Sequence, residues 1–278
     1  MNTFLDCVVA TATLLLVVYG LTLVLGVLDV INLAHAGFMA VGVYIAYALL
    51  QHGQPFWLAC AAATAGTAVL GALVERLIIR RLYRRPVDTI LATWGIALVI
   101  VQIITLWAGA QSEAMNVPLT GSLDVFGVRY STYSLLLVLA AAVIMAGLAL
   151  LVRFTETGRT VRMVMSNQQM AQGLGVNTSR VRQVTFTAGA ALAGFSGALL
   201  GPLQGVSPQY ATTLLIPAFL AVLVAGPTIS GLLIGCAVLA TLETTFATFV
   251  DPSYSVAVLV LAAVVILRFA PRGVGIAR

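Results

Sequence analysis

The sequence predicts an all-α protein, a polytopic transmembrane helical bundle of about eight or nine membrane segments with broken helices. Three observations predict it. Of 278 residues, 61% are hydrophobic and only 8% charged, with a mean hydropathy of +1.07; a soluble domain carries about 25% charged and about 45–50% apolar residues. The charges leave long uncharged stretches at 30–74, 89–112, 130–152 and 183–242, besides the one between Asp6 and Asp29. Each accommodates one or more crossings of roughly 20 residues. Finally, the basic residues gather between these stretches and not within them.

In chain order, the membrane segments fall near 8–28, 37–52, 55–78, 89–109, 132–152, 183–201, 212–226, 229–249 and 254–270, within a single domain over 1–278. The first is not a removable signal peptide, because no basic region precedes it and further membrane-type sequence follows at once. Arginines cluster at Arg76, Arg80, Arg81, Arg84 and Arg85, at Arg153, Arg159, Arg162, Arg180 and Arg182, and at Arg268, Arg272 and Arg278. The positive-inside rule puts all three clusters on the cytoplasmic face. Two segments separate the first cluster from the second and four the second from the third, so the parity agrees. The loop 110–131, with Glu113, Asp124 and a single Arg129, then faces outward. The N-terminus is outside if 37–52 crosses fully and inside if 30–52 enters and returns.

Two polar interruptions break the apolar sequence: Gly26 to Gly37, with Asp29, Asn32 and His35, and Gly226-Pro227-Thr228-Ile229-Ser230-Gly231. They read either as helices broken along a transport route, where free backbone groups line a cavity, or as simple turns between helices. In the segment 183–201, Gly189, Ala193, Gly197 and Gly201 recur every four residues and make one face nearly flat. That face admits close packing within the bundle or against another subunit.

The composition also excludes chemistry. All 14 basic residues are arginine. Without lysine there is neither a Walker A loop nor a Schiff base. Cys7, Cys60 and Cys236 form no CxxC and read as small buried hydrophobes. His35 and His52 are too far apart for an HExxH zinc helix, and no GxSxG elbow occurs. Asn177-Thr178-Ser179 fits the glycosylation sequon by chance only, if its loop is cytosolic. No catalytic residue, metal site or cofactor is expected, and the net charge of +5 is better explained by topology than by nucleic acid.

The long polar stretch is the cytoplasmic loop of about 153–182, with five arginines against Glu156. It exceeds the 2–8 residues or so that helix connections need. Ser166 or Asn167 caps a predicted short helix over 168–174, and Gly175 ends it in the left-handed conformation. Met170, Ala171 and Leu174 would then present a small apolar face to a cytosolic partner, or pack under the protein's own bundle.

Gly158-Arg159, Ala171, Gly175-Val176-Asn177, Arg180-Val181, Thr185-Phe186, Ala188-Gly189-Ala190, Ala193-Gly194 and Gly197 resemble the cytoplasmic loop and following helix of bacterial ABC-importer permeases for branched-chain amino acids. The resemblance extends upstream through Tyr19-Gly20-Leu21, Asp29-Val30-Ile31-Asn32-Leu33-Ala34-His35, Gly42-Val43-Tyr44, Glu75-Arg76 and Ala92-Thr93-Trp94-Gly95. Downstream it continues through Gly201-Pro202, Gly205-Val206-Ser207-Pro208 and Arg268 to Gly273. It implies a multi-pass subunit of the bacterial inner membrane, embedded in lipid. It also implies a second, related permease, two cytosolic ATPases that hydrolyse ATP, and an extracytoplasmic binding protein as partners. In the family the loop helix docks on the ATPase. Carried over, that role falls on Gln169, Met170, Ala171 and Gly175, flanked by Arg159 and Arg162.

Three stretches depart from the family pattern. Gln169-Met170-Ala171 replaces a Glu-Ala-Ala run and loses its carboxylate. After His35 the H-type permease usually has Gly-Glu, whereas Ala36-Gly37-Phe38 leans toward its partner permease, which leaves open which of the two paired subunits this is. Val224-Ala225-Gly226-Pro227-Thr228 replaces a glycine-rich run, which puts close backbone approach there in doubt.

Candidates for the route are Asn32, His35, Thr93, Gln102 and Glu243. Glu243 is read as the one carboxylate deep inside a span, either structural or gating; charged groups cost about 2.5–3.5 kcal/mol at mid-helix. Thr93 and Gln102 also suit helix-to-helix hydrogen bonds. Gln204, Ser207 and Tyr210 are placed on the outer side, where a binding protein would dock. The competing reading is a self-contained channel or secondary carrier for a small polar solute such as urea or an amide, with Glu243 or His35 coupling ions. No residue separates a leucine side chain from an amide.

Overall fold

The computed structural model describes residues 3–83, 85–125, 127–226, 228–251, 254–270 and 273–275. Arg84, Pro227, Pro271, Arg272 and Arg278, and the side chain of Tyr210, lie outside the described residues. The elements are α1 (Thr3–Leu28), α2 (Ala34–Gln51), α3 (Phe56–Leu77), a 3-10 turn (Ile79–Arg81), α4 (Pro86–Ala108), β1 (Ser122–Val125), β2 (Val128–Ser131), α5 (Thr132–Phe154), α6 (Glu156–Ser166), α7 (Gln168–Gly173), α8 (Thr178–Gln204), α9 (Tyr210–Ala225), α10 (Ile229–Phe249) and α11 (Ser255–Phe269).

Among the described residues, seven helices are long and apolar enough to cross a bilayer, and α9 and α11 are shorter apolar helices. These nine helices correspond one for one to the nine segments read from the sequence. A 26-residue α1 rises about 39 Å, more than the roughly 30 Å hydrocarbon core. Two features escaped the sequence: the antiparallel hairpin β1–β2 in the loop 110–131, which qualifies the all-α reading, and α6 in the polar loop.

The chain divides into two compact units. In the unit made of residues 19–116 and 147–215, α8 is the central post against which α2 and α3 pack. Its small residues explain why. Gly189, Ala193, Gly197 and Gly201 are buried, and the helix backbones meet almost directly. A Cβ on Gly42 of α2 would overlap the backbone of Gly194, and one on Gly20 of α1 would come 2.6 Å from the Gly189 carbonyl oxygen. The face used is wider than the four-residue stripe, because Ala190 meets Gly71 and Gly194 meets Thr67 of α3. Beyond α8, Gly205 turns the chain at φ +76°, and Val206 and Glu113 exchange backbone hydrogen bonds of 2.8 and 2.9 Å.

In the unit made of residues 1–18, 117–146 and 216–278, α10 packs on α11. The hairpin is tied to the start of α1 by the Tyr130 hydroxyl, which donates to Asp6 Oδ1 at 2.7 Å. At the second interruption, α9 ends at Ala225 and Gly226 turns at φ +70°. The C-terminal segment closes this break: the Val274 and Gly275 amides donate to the Val224 and Ala225 carbonyls at 2.8 and 3.0 Å. Close approach at this point therefore survives the loss of the glycine-rich run. Gly231, Gly273 and Gly275 supply it, since a Cβ on Gly231 would overlap the Ala225 carbonyl.

Gly42→Ala is expected to destabilise the detergent-solubilised protein by about 1–3 kcal/mol, the usual range for overpacking. Gly95→Ala, where a Cβ meets nothing within 4 Å, should leave the melting temperature unchanged or slightly raised. Thermal unfolding of the two variants side by side checks this.

Candidate functional site

Every candidate residue except Glu243 falls in the unit built on α8, in three groups. The first is the polar loop. Thr155 opens α6 by accepting from the Gly158 amide at 2.9 Å, and a Cβ on Gly158 would strike the backbone of Leu151 and Val152. Asn167 both ends α6 and caps α7, its Oδ1 accepting from the Met170 amide at 2.9 Å. Gly175 takes φ +84°, and its amide reaches the Gln172 carbonyl at 2.9 Å while Val176 reaches Ala171 at 3.0 Å. Asn177 then starts α8 by accepting from the Arg180 amide at 3.0 Å. Three side-chain caps in the 23 residues from Thr155 to Asn177 thus turn a polar linker into helix, turn, helix. The missed element, α6, carried its signal in Thr155 followed by Glu156.

The orientation of α7 corrects one expectation. Met170 and Leu174 are 63% and 68% exposed, but Ala171 is 0% exposed and faces inward. The apolar face is therefore made by Met170 and Leu174 alone. Gln169 and Arg162 are exposed, and Arg159 is engaged at 3.8 Å by the exposed Glu156. Two side chains fasten α7 to α8: Gln172 Nε2 donates to Thr178 Oγ1 at 2.8 Å, and Arg182 donates to Gln168 Oε1.

The second group surrounds the first break, which shrinks to residues 29–33 between α1 and α2. Asp29 adopts φ +53° there. Asn32 and His35 are buried at 2% and 0% exposure. The break satisfies its own amides: Leu33 donates to Thr93 Oγ1 at 3.2 Å, Ala34 to Asn32 Oδ1 at 3.2 Å and His35 to the Asn32 carbonyl at 3.3 Å. Asn32 Nδ2 is buried without a hydrogen-bond partner among the described residues. Thr93 thus links α4 to the break, while its hydroxyl also donates to the Ile90 carbonyl at 2.9 Å. Gln102 stands apart from this cluster. It is exposed and lines a groove of about 570 Å3 with Ala36, Trp94, Ala97, Gln209 and Thr212.

The third group was not foreseen. Glu243 is only half-buried in α10, so it is not the deepest carboxylate. That position belongs to Glu75 of α3, which is fully buried. Its Oε1 accepts from the Tyr83 hydroxyl at 2.7 Å, and its Oε2 has no hydrogen-bond partner among the described residues. The Arg182 guanidinium lies 4.6 Å over the Tyr83 ring. Burial, then the hydrogen bond and charge of Glu75, push the Tyr83 hydroxyl above its ordinary pKa, with Arg182 and Arg80 acting in the opposite direction. The sequence did carry a signal: Ala59, Ala63, Thr67 and Gly71 form a buried line at every fourth residue, and Glu75 is its next member.

Residues 3–268 match the family model described as the permease component of branched-chain amino acid transport systems. The chain belongs to this family. Among its relatives, the permease protein LivH of the high-affinity branched-chain amino acid transport system of Escherichia coli (strain K12) is 27% identical, with 95% of this chain and 91% of the relative covered. A probable branched-chain amino acid transport permease protein LivH of Methanocaldococcus jannaschii is 30% identical over 80% of this chain and 73% of the relative. LivM of Salmonella typhimurium (strain LT2) is 26% identical over 72% of this chain and 53% of its own length. A solved structure, PsaBC from Streptococcus pneumoniae in complex with Fab, shares the fold at a TM-score of 0.53 and 9% identity, covering 98% of this chain and 93% of that one.

Tyr83→Phe should destabilise the permease by about 1–3 kcal/mol, because it leaves both oxygens of a buried carboxylate without a donor. In a Glu75→Gln background the same change should cost clearly less. Equal costs in both backgrounds, measured by thermal unfolding, would show that the charge of Glu75 adds nothing to this bond, since the amide oxygen of the glutamine still accepts from the hydroxyl.

Proposed function

We propose that this chain is a membrane subunit of an ATP-driven importer and moves branched-chain amino acids handed over by an extracytoplasmic binding protein. In this reading it pairs with a second permease and with two cytosolic ATP-binding subunits that hydrolyse ATP. Family membership supports the substrate class, and the absence of lysine supports placing ATP hydrolysis in a partner chain. The relatives named LivH cover more of the chain than LivM does, which supports the LivH position within the pair and not the one toward which Ala36-Gly37-Phe38 leans. The family assignment leaves the self-contained carrier without support.

The observation that carries the mechanical part is α7. It is a capped, six-residue helix that shows Met170 and Leu174 to the outside and is fastened to the first turn of α8. A partner gripping Met170 and Leu174 pulls, through Gln168 and Gln172, on the helix whose backbone supports α2 and α3. Ala171 serves as the inward wedge, Gly175 as the turn, and Gln169, Arg159 and Arg162 as the polar rim.

The orientation follows from the arginine clusters, which place α6 and α7 in the cytoplasm of a bacterial inner membrane. Met165 of α6 lies against Gly26 near the end of α1, which supports a cytoplasmic position for that end. The 18-residue length of α2 supports a full crossing there, and with it an outer N-terminus and nine crossings. The groove beside Gln102 and the cluster of Asn32, His35 and Thr93 are the route elements in this unit, and Glu243 is the carboxylate placed on the route in the other.

Purified chain alone in liposomes is expected to move no labelled leucine, with uptake appearing only when the second permease, the ATPases, the binding protein and ATP are added; uptake by the chain alone would overturn the importer reading. Met170→Asp with Leu174→Asp changes two exposed side chains. It should leave insertion intact while lowering ATPase co-purification at least about tenfold, as loss of interface anchors does. Gly175→Val should act in the same direction, since a branched residue in the left-handed region costs about 1–2 kcal/mol. Unaltered co-purification of both variants would remove the docking role of α7.

A further inference from the structure

The segment 78–85 joins two apolar helices, α3 and α4, and therefore lies at a membrane boundary whichever face it occupies. Arg80, Arg81, Tyr83 and Arg85 close on a cavity of about 570 Å3 together with Arg182 from α8. Arg85 is paired with Asp88 at 3.6 Å, whereas Arg80, Arg81 and Arg182 have no carboxylate within ion-pair distance among the described residues. The buried acid nearby, Glu75, is engaged by Tyr83.

Arg182 is the informative member. Tyr83 stacks under its guanidinium and Gln168 accepts from one Nη, yet its Nε is buried without a hydrogen-bond partner among the described residues. Buried donors are seldom left unmade, and a guanidinium among arginines that outnumber the buried acid, Glu75, is matched by phosphate oxygens. The surroundings distinguish the source of that phosphate. Leu77 and Ile78 where the segment begins, and Val87 and Leu91 in the helix that follows it, are large apolar side chains left exposed. A soluble anion has no use for that strip; a phospholipid needs both parts.

We propose that this pocket holds the phosphate headgroup of an anionic phospholipid, with Arg80, Arg81 and Arg182 around the phosphate and the acyl chains along Leu77, Val87 and Leu91. The site shares Arg182 with the first residue of α7. Native mass spectrometry of the full chain in mild detergent tests the proposal with phosphatidylglycerol against phosphatidylcholine of the same acyl chains. Phosphatidylglycerol should be retained in preference. R80Q/R81Q should weaken its retention on the order of 25-fold, about fivefold per arginine. Arg76, Arg84 and Arg85 remain in that variant to hold the topology, and R129Q in the hairpin should leave retention unchanged. If the double variant does not survive purification, R80Q alone carries the same comparison at about fivefold. Equal retention of the two lipids, or retention unaffected by R80Q/R81Q, overturns the proposal. Displacement of lipid by millimolar inorganic phosphate would reassign the pocket to a soluble anion. Loss of ATPase co-purification with lipid retention intact would reassign it to a protein contact.

Discussion

The structure depends on backbone-to-backbone contact along α8. In a bilayer, apolar side chains gain nothing by leaving lipid for one another, so helices associate where their surfaces fit closely. Gly189, Ala190, Ala193, Gly194, Gly197 and Gly201 give α8 almost no side-chain relief, and Gly20, Gly42 and Gly71 answer from α1, α2 and α3. These contacts are rigid because backbone has no rotamer to change. A displacement at the first turn of α8 is therefore passed to its neighbours and is not absorbed. This gives mechanical meaning to the fastening of α7 onto Thr178 and Arg182.

A second constraint shapes the rest: polar backbone within reach of lipid must be satisfied by the protein itself. Both breaks obey it, by different means. The first uses local side chains, Asn32 and Thr93, to take up the amides at the start of α2. The second recruits a distant strand of chain, Val274 and Gly275, to take up the carbonyls at the end of α9. Neither break is a loose hinge. Each is a closed hydrogen-bonding arrangement, and any opening during transport must exchange these bonds for others.

Much of this was legible from residue order. Hydropathy located nine apolar helices to within a few residues, and Asn167 and Gly175 marked the ends of α7 because capping and the left-handed turn depend on individual residue types. Other features were hidden. Ala171 sits among apolar neighbours in sequence, and only the tilt of α7 decides that it points inward while Met170 points out. Glu75 stands next to Arg76 near the end of its apolar segment, whereas Glu243 stands alone in an apolar run. Burial reversed their order because Glu75 lies on the packed line of α3. The hairpin escaped because its alternation covers only four residues on each side of the turn.

The amino-acid sequence by itself determined that the chain is a membrane protein and where its apolar helices and arginine clusters fall along it. These are properties of transfer free energy, and transfer free energy adds up residue by residue along the chain. Tertiary structure alone decided which carboxylate is buried, which face of α7 is exposed and which arginines share a cavity. Each of these joins residues far apart in sequence, as Tyr83 joins Arg182 and Val224 joins Val274, and distance through space is set by packing that no local pattern records.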